Sequence, residues 1–155
     1  HTLTRCQAVT ETVLRSVFKQ LVLQGAVLEA LILKPNMVIA GLSCAAQNTV
    51  DDMENVAEAT LQCLRRVVPA AVPGIAFLSG GQSGPLASAR LNALRQRPAA
   101  PWQLSFSFAR ALQHPALDVW AGQAANTAAA QRALMHRAQC NSAALKGEYS
   151  AALEG

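Results

Sequence analysis

Apolar residues recur at helical spacing from Leu3 to Leu21: Cys6, Val9, Val13, Val17 and Leu21 share one face, with Leu14 and Phe18 beside them. The pattern predicts a helix that stops at Gly25. Ala30-Leu31-Ile32-Leu33 is then continuously apolar and, past Lys34 and Pro35, the apolar run resumes to Ile39, as in a parallel strand buried on both faces. Thr49 resembles a helix N-cap with Asp52 three residues on, and Met53, Val56, Thr60, Leu64 and Val67 give the next buried stripe. Asp51, Asp52 and Glu54 in its first turn and Arg65 and Arg66 in its last complement the helix dipole, and Pro69 stops it. Gly74 to Leu78 reads as a second buried strand, ending in Ser79-Gly80-Gly81. Pro85 opens a helix whose apolar face is Ala87, Leu91 and Leu94. Trp102 to Ser107 is a third strand, followed by a short helical turn near Leu117 to Trp120. Asn126 caps a long helix through Ala130, Leu134, Ala138 and Leu145, which Gly147 ends.

Three strands, each followed by a helix and preceded by one further helix, predict an α/β fold with parallel strands and no internal domain boundary over 1–155. The strand intervals suit βα units of a barrel or of a doubly wound sheet. Three parallel strands alone leave open edges, so the 155 residues read as part of a larger fold. Composition agrees: 52% of residues are hydrophobic, 14% charged and about a fifth alanine, which excludes a disordered polyelectrolyte and favours helices. The net charge is +4, but the arginines are scattered and aromatics total 5%, so no nucleic-acid surface is expected. Cys6, Cys44, Cys63 and Cys140 lie far apart without metal-ligand spacing, which implies reduced thiols and no metal. No apolar run is long enough to span a membrane.

Candidate chemistry falls after the strands. Lys34, one of only three lysines, interrupts a buried-strand pattern. In an apolar interior its amine would lose its proton readily and become a nucleophile able to form a Schiff base; at a strand end it would instead snorkel into water. Ser79-Gly80-Gly81-Gln82-Ser83 has the glycines that let a backbone approach a phosphate at a helix N-terminus, and equally those of an ordinary βα turn. Arg110 follows the third strand, on the same sheet edge, as a phosphate partner or a solvated surface residue. Together, amine, glycine loop and arginine suggest an imine-forming enzyme for a phosphorylated carbonyl compound. His1, His114 and His136 lack partners at nucleophile–base or metal spacing and are expected at the surface. Arg90, Arg95 and Arg97 are expected to form a solvated face, and Trp102 and Trp120 to pack in the core or at a sheet edge.

Leu33-Lys34-Pro35-Asn36-Met37-Val38, Phe77-Leu78-Ser79-Gly80-Gly81-Gln82-Ser83 and Ser105-Phe106-Ser107-Phe108-Ala109-Arg110-Ala111-Leu112 resemble the class I fructose-bisphosphate aldolases. The flanks agree, with Arg5-Cys6-Gln7, Val72-Pro73-Gly74 and Leu91-Asn92-Ala93, so the resemblance covers nearly the whole chain. It implies the C-terminal part of a (β/α)8 barrel, about three βα units preceded by one helix, with Lys34 as the Schiff-base lysine. It also implies a phosphate site built from Ser79, Gly80, Gly81, Ala109 and Arg110, with Ser107 at its rim. The implied reaction is cleavage of fructose 1,6-bisphosphate, without cofactor or metal, in a protein that is a homo-tetramer when complete. A cytoplasmic location is implied, or a plastid one if the lineage is photosynthetic.

The departures from the family pattern are local. Ala30-Leu31 stands for the usual Gly-Thr, Ile39-Ala40 for Thr-Pro, and Gly84-Pro85-Leu86 for the acidic residues that commonly follow Gly-Gly-Gln-Ser. The family's acid/base glutamate and second lysine belong to strands before His1. Glu29, Glu58, Asp118 and Glu148 fall on helices or their flanks, so none replaces them. Little or no turnover by the chain alone is therefore expected. The competing reading is a non-catalytic fragment or degenerate copy that acts only in assembly or interaction.

Overall fold

Helix α1 (Leu3–Leu23) starts where the Thr2 hydroxyl accepts the Arg5 N–H, 3.2 Å away. In the computed structural model, which describes residues 1–44 and 50–155 and the side chains of all of these except 50–52, it is followed by β1 (Ile32–Leu33), α2 (Val50–Val67), β2 (Gly74–Phe77), α3 (Gly84–Arg95), β3 (Gln103–Phe106), α4 (Arg110–Trp120) and α5 (Thr127–Lys146). The proposed cap at Thr49 and the side chains of Asp51 and Asp52 lie outside the described residues. Strands pair in parallel in the order β1-β2-β3, with Ile32 opposite Gly74 and Gly74 opposite Gln103. Sequential order with a helix in each crossover is the progression of a barrel wall; a doubly wound sheet reverses its order. Three consecutive βα units of a (β/α)8 barrel are present, with α1 before them.

The core lies between the sheet and the helices. Val56, Leu61 and Leu64 of α2 and Ala87, Leu91 and Leu94 of α3 meet Ile75, Phe77 and Leu104 of the strands, all buried. Each of these side chains except Ala87 contributes about 1.5–3 kcal/mol by leaving water. α3 packs against both α2 and α5 and is therefore buried on several sides, Ser88 and Asn92 included. No helix among the described residues is long and apolar enough to cross a membrane.

Several sequence expectations are corrected. The β1 strand is only two residues long and Ile32 is 61% exposed, because β1 is an edge of the described sheet. Met37 to Ala40 are buried without being strand: the Val38 N–H donates to the Thr60 hydroxyl at 2.9 Å, so this stretch is apolar because it packs on α2. On α1 the buried residues are Leu14 and Phe18, and the stripe of Val9, Val13 and Val17 is exposed. On α5, Leu134 is exposed, and Arg137, Cys140 and Asn141 are buried instead. α4 is a full helix of 11 residues and not one late turn. Pro115 lies inside it, where it removes the donor to the Ala111 carbonyl, and that carbonyl lies against Gly84. Trp102 is buried and donates its indole N–H to the Pro69 carbonyl at 2.9 Å, whereas Trp120 is largely exposed.

Candidate active site

Parallel strands deliver their carboxyl ends to one edge of the sheet, and all the candidate residues follow those ends. Lys34 comes directly after β1, Ser79-Gly80-Gly81 after β2, and Ser107, Ala109 and Arg110 after β3. The ends are tied together beyond the formal strands: the Leu78 N–H donates to the Pro35 carbonyl at 3.0 Å, and the Ser107 N–H to the Phe77 carbonyl at 2.8 Å. Lys34 is exposed in this segment, directly after the end of β1.

The glycine loop is shaped from both sides. Gly80 has φ +58°, and a Cβ there would overlap the side-chain amide of Asn36, two residues after Lys34. The conformation disfavours any side chain there, and one would also displace the Asn36 amide. Beneath the loop, Gln82 donates its backbone N–H (3.0 Å) and its side-chain amide (2.8 Å) to the Ser79 carbonyl. Arg90 donates to Gln82 Oε1 at 2.8 Å. Arg90 is fully buried, which corrects the expected solvated face; Arg95 and Arg97 do lie nearer the surface, bonded to the Leu145 carbonyl and paired with Glu54. The sequence carried a signal for this: position 90 is one turn from both Ala87 and Leu94 on the apolar stripe of α3.

Ser83 caps α3, accepting the Leu86 N–H at 3.4 Å, so the loop runs directly into a helix N-terminus. Ala109 stands at the start of α4 and its carbonyl accepts the N–H groups of Leu112 and Gln113, which leaves Arg110 exposed in the first turn. A cleft of about 440 Å³ is lined by Gly81 to Pro85 on one side and by Arg110, His114 and Asp118 on the other. The structure therefore brings the loop and Arg110 to one cavity. Lys34, Ser79, Gly80, Ser107 and Ala109 share the sheet edge but do not line that cleft. A larger concavity, about 900 Å³, lies along α3 against Tyr149 and Ala151, away from Lys34 and Arg110. Lys34, the glycine loop and Arg110 each follow the carboxyl end of a strand, on the same edge of the sheet.

The model of the class I fructose-bisphosphate aldolases matches residues 1–155. The chain belongs to this family. It is 54% identical over 150 residues to fructose-bisphosphate aldolase B of Gallus gallus, covering 96% of this chain and 40% of that one. It is 52% identical over 150 residues to the human aldolase B, with the same coverages. Among solved structures it superposes with TM-score 0.91 at 45% identity on the fructose-bisphosphate aldolase of Plasmodium falciparum in its ternary complex with TRAP and a small-molecule inhibitor. That match covers 97% of this chain and 42% of the other. The chain thus spans about two-fifths of the length of these aldolases.

Proposed function

We propose that this chain supplies the imine-forming lysine and one phosphate clamp of a class I fructose-bisphosphate aldolase. In this reading the Lys34 amine adds to the ketone carbon of fructose 1,6-bisphosphate and water leaves, giving a protonated imine. A base from the remaining part of the barrel takes the proton of the hydroxyl on the far carbon of the neighbouring carbon–carbon bond. That oxygen becomes the carbonyl of glyceraldehyde 3-phosphate as the bond breaks and its electrons pass to the iminium. The enamine left on Lys34 takes up a proton and is hydrolysed to dihydroxyacetone phosphate, which regenerates the amine. Backbone N–H groups of Ser79 to Gly81 and of Ala109, with the Arg110 guanidinium, hold one phosphate, and Ser107 lies at the rim. No metal or other cofactor enters these steps.

The observation that carries the reading is the placement of Lys34, the glycine loop and Arg110 after three adjacent parallel strands, on one edge. The proton-transfer groups that serve the reacting hydroxyl belong in this reading to the remaining part of the barrel. Their absence costs about 10²–10⁴ in rate, and lost positioning costs more. The chain alone is therefore expected to show little turnover, and the homo-tetramer is assigned to the complete barrel.

The test is aldol cleavage measured with the 155-residue chain alone and with the remaining barrel segment supplied as a second polypeptide. Turnover only in the mixture, abolished by Lys34→Arg and with a raised KM in Arg110→Ala, supports the proposal. A folded, associated mixture without turnover would favour a degenerate copy whose role is assembly.

A further inference from the structure

Away from the strand ends, α5 and the one-turn 3-10 helix that follows it (Ala151–Glu154) bring together a set of side chains that the aldolase reading leaves unused. His136 and Cys140 are four residues apart on α5 and so share a face. Their Nε2 and Sγ atoms lie 3.7 Å apart. Glu154 places Oε2 3.8 Å from His136 Nε2, and the three donor atoms all lie within 4.8 Å of one another. Among the described residues this is the only group of three or more His, Cys, Asp or Glu side chains so disposed. Tetrahedral zinc, with bonds of about 2.0–2.3 Å to nitrogen, oxygen and sulfur, holds its donors about 3.4–3.7 Å apart. The two measured separations are close to that.

The carboxylate is oriented before any ion arrives. Arg137 donates to Glu154 Oε2 and is itself held by Ser88 Oγ at 2.7 Å, while the Tyr149 hydroxyl donates to Oε1 at 2.6 Å. These bonds fix the plane of the carboxylate, and Oε2 keeps lone-pair capacity toward His136. Cys140 is buried and His136 is partly exposed, so the thiol is sheltered and the imidazole side gives access.

We propose that His136, Cys140 and Glu154 form a binding site for a single soft divalent cation of the zinc class, with water as the fourth ligand. A thiolate, an imidazole and a carboxylate are a zinc-type donor set, and three protein donors leave one exchangeable position. On binding, the Cys140 thiol gives its proton to solvent and the sulfur–metal bond replaces the S–H bond. The Arg137 cation beside Glu154 opposes a second positive charge and weakens binding relative to an unpaired carboxylate. Binding pins the Ala151–Glu154 turn to α5 and, through Tyr149, to α3, where the Tyr149 N–H donates to Asn92 Oδ1 at 2.9 Å. The site does not depend on the aldolase reading.

The experiment is titration of the purified, metal-free chain with Zn²⁺ and, separately, Co²⁺, followed by equilibrium dialysis with elemental analysis and by absorption. The expected result is one ion per chain, a thiolate-to-cobalt charge-transfer band in the near ultraviolet, and a rise in Tm with Zn²⁺. Cys140→Ser abolishes the band, and His136→Gln, at a partly exposed position that leaves the fold intact, weakens Zn²⁺ binding at least about tenfold. Cys6→Ser leaves both readouts unchanged. No stoichiometric ion at sub-millimolar Zn²⁺, a band that survives Cys140→Ser, or affinity unchanged in His136→Gln would overturn the proposal.

Discussion

Gly80 carries two constraints at once, a positive φ and the Asn36 amide where a Cβ would go. Gly80→Ala should therefore lower stability by about 1–3 kcal/mol, read from urea unfolding. Asn36→Ala in the same background should restore only the steric part, since the strained φ remains. Arg90 is a different kind of residue: fully buried, it acts on the loop through Gln82. Arg90→Leu leaves Gln82 Oε1 without that donor and should cost about 2–3 kcal/mol. If the relay shapes the phosphate loop, the complemented enzyme should also show a KM rise larger than its fall in kcat. Loss of stability with unchanged KM would make Arg90 a packing residue only. The two positions differ in legibility. Gly80 stood out in the sequence because paired glycines after a strand have a recognised use. Arg90 was read as solvated because arginine usually is, although its neighbours on the apolar stripe pointed inward.

The elements were legible where each buries one clean face. The stripe of α2 was read correctly at its centre, where Val56, Thr60 and Leu64 are buried, while Met53 and Val67 at its ends are half-buried and Ala57, Leu61 and Cys63 widen the buried face. Periodicity failed where a helix meets the fold on more than one side or at an open edge. α1 exposes Val9, Val13 and Val17 because its buried face is set by Leu14 and Phe18, and the stretch after β1 was read as strand because burial against a helix gives the same apolar run. Thr60 is the residue that holds that stretch. Thr60→Val preserves shape but leaves the Val38 N–H unsatisfied, and should cost about 1–3 kcal/mol in urea unfolding, with Thr60→Ser near neutral.

At the C-terminal turn, burial works to raise the Glu154 pKa, but hydrogen bonds from Arg137 and Tyr149 and the Arg137 charge outweigh it and hold it below the ordinary value of 4.5. A lowered folded pKa means that this carboxylate's stabilisation is complete above 4.5 and is lost as the pH falls through the lower folded value. Thermal unfolding should show a loss of stability between about pH 5 and pH 3 that is shallower in Glu154→Gln. An identical slope in the variant would remove Glu154 from that account. The Tyr149 hydroxyl shifts the opposite way, upward, through burial and its bond to the same carboxylate.

For the molecule as a whole, the sequential parallel order β1-β2-β3 and the family membership define a segment of a barrel wall, about two-fifths of an aldolase in length. Its class was readable from strand–helix alternation; the choice of barrel over doubly wound sheet came from the family resemblance and not from the pattern, since it depends on strand order and no local pattern encodes order. The candidate site was readable as a list of residues because each follows a strand. That Arg110 and the loop share a cleft which Lys34 does not line required coordinates. Lys34 is proposed as the carbon-bonding group of this edge. The most direct test is borohydride reduction of the chain with dihydroxyacetone phosphate, alone and with the remaining barrel segment, followed by peptide mass spectrometry. A reduced adduct on Lys34 in the complemented protein, absent in Lys34→Arg, is the predicted result. An adduct on Lys19 or Lys146 instead, or none in a folded complemented protein, would contradict the account.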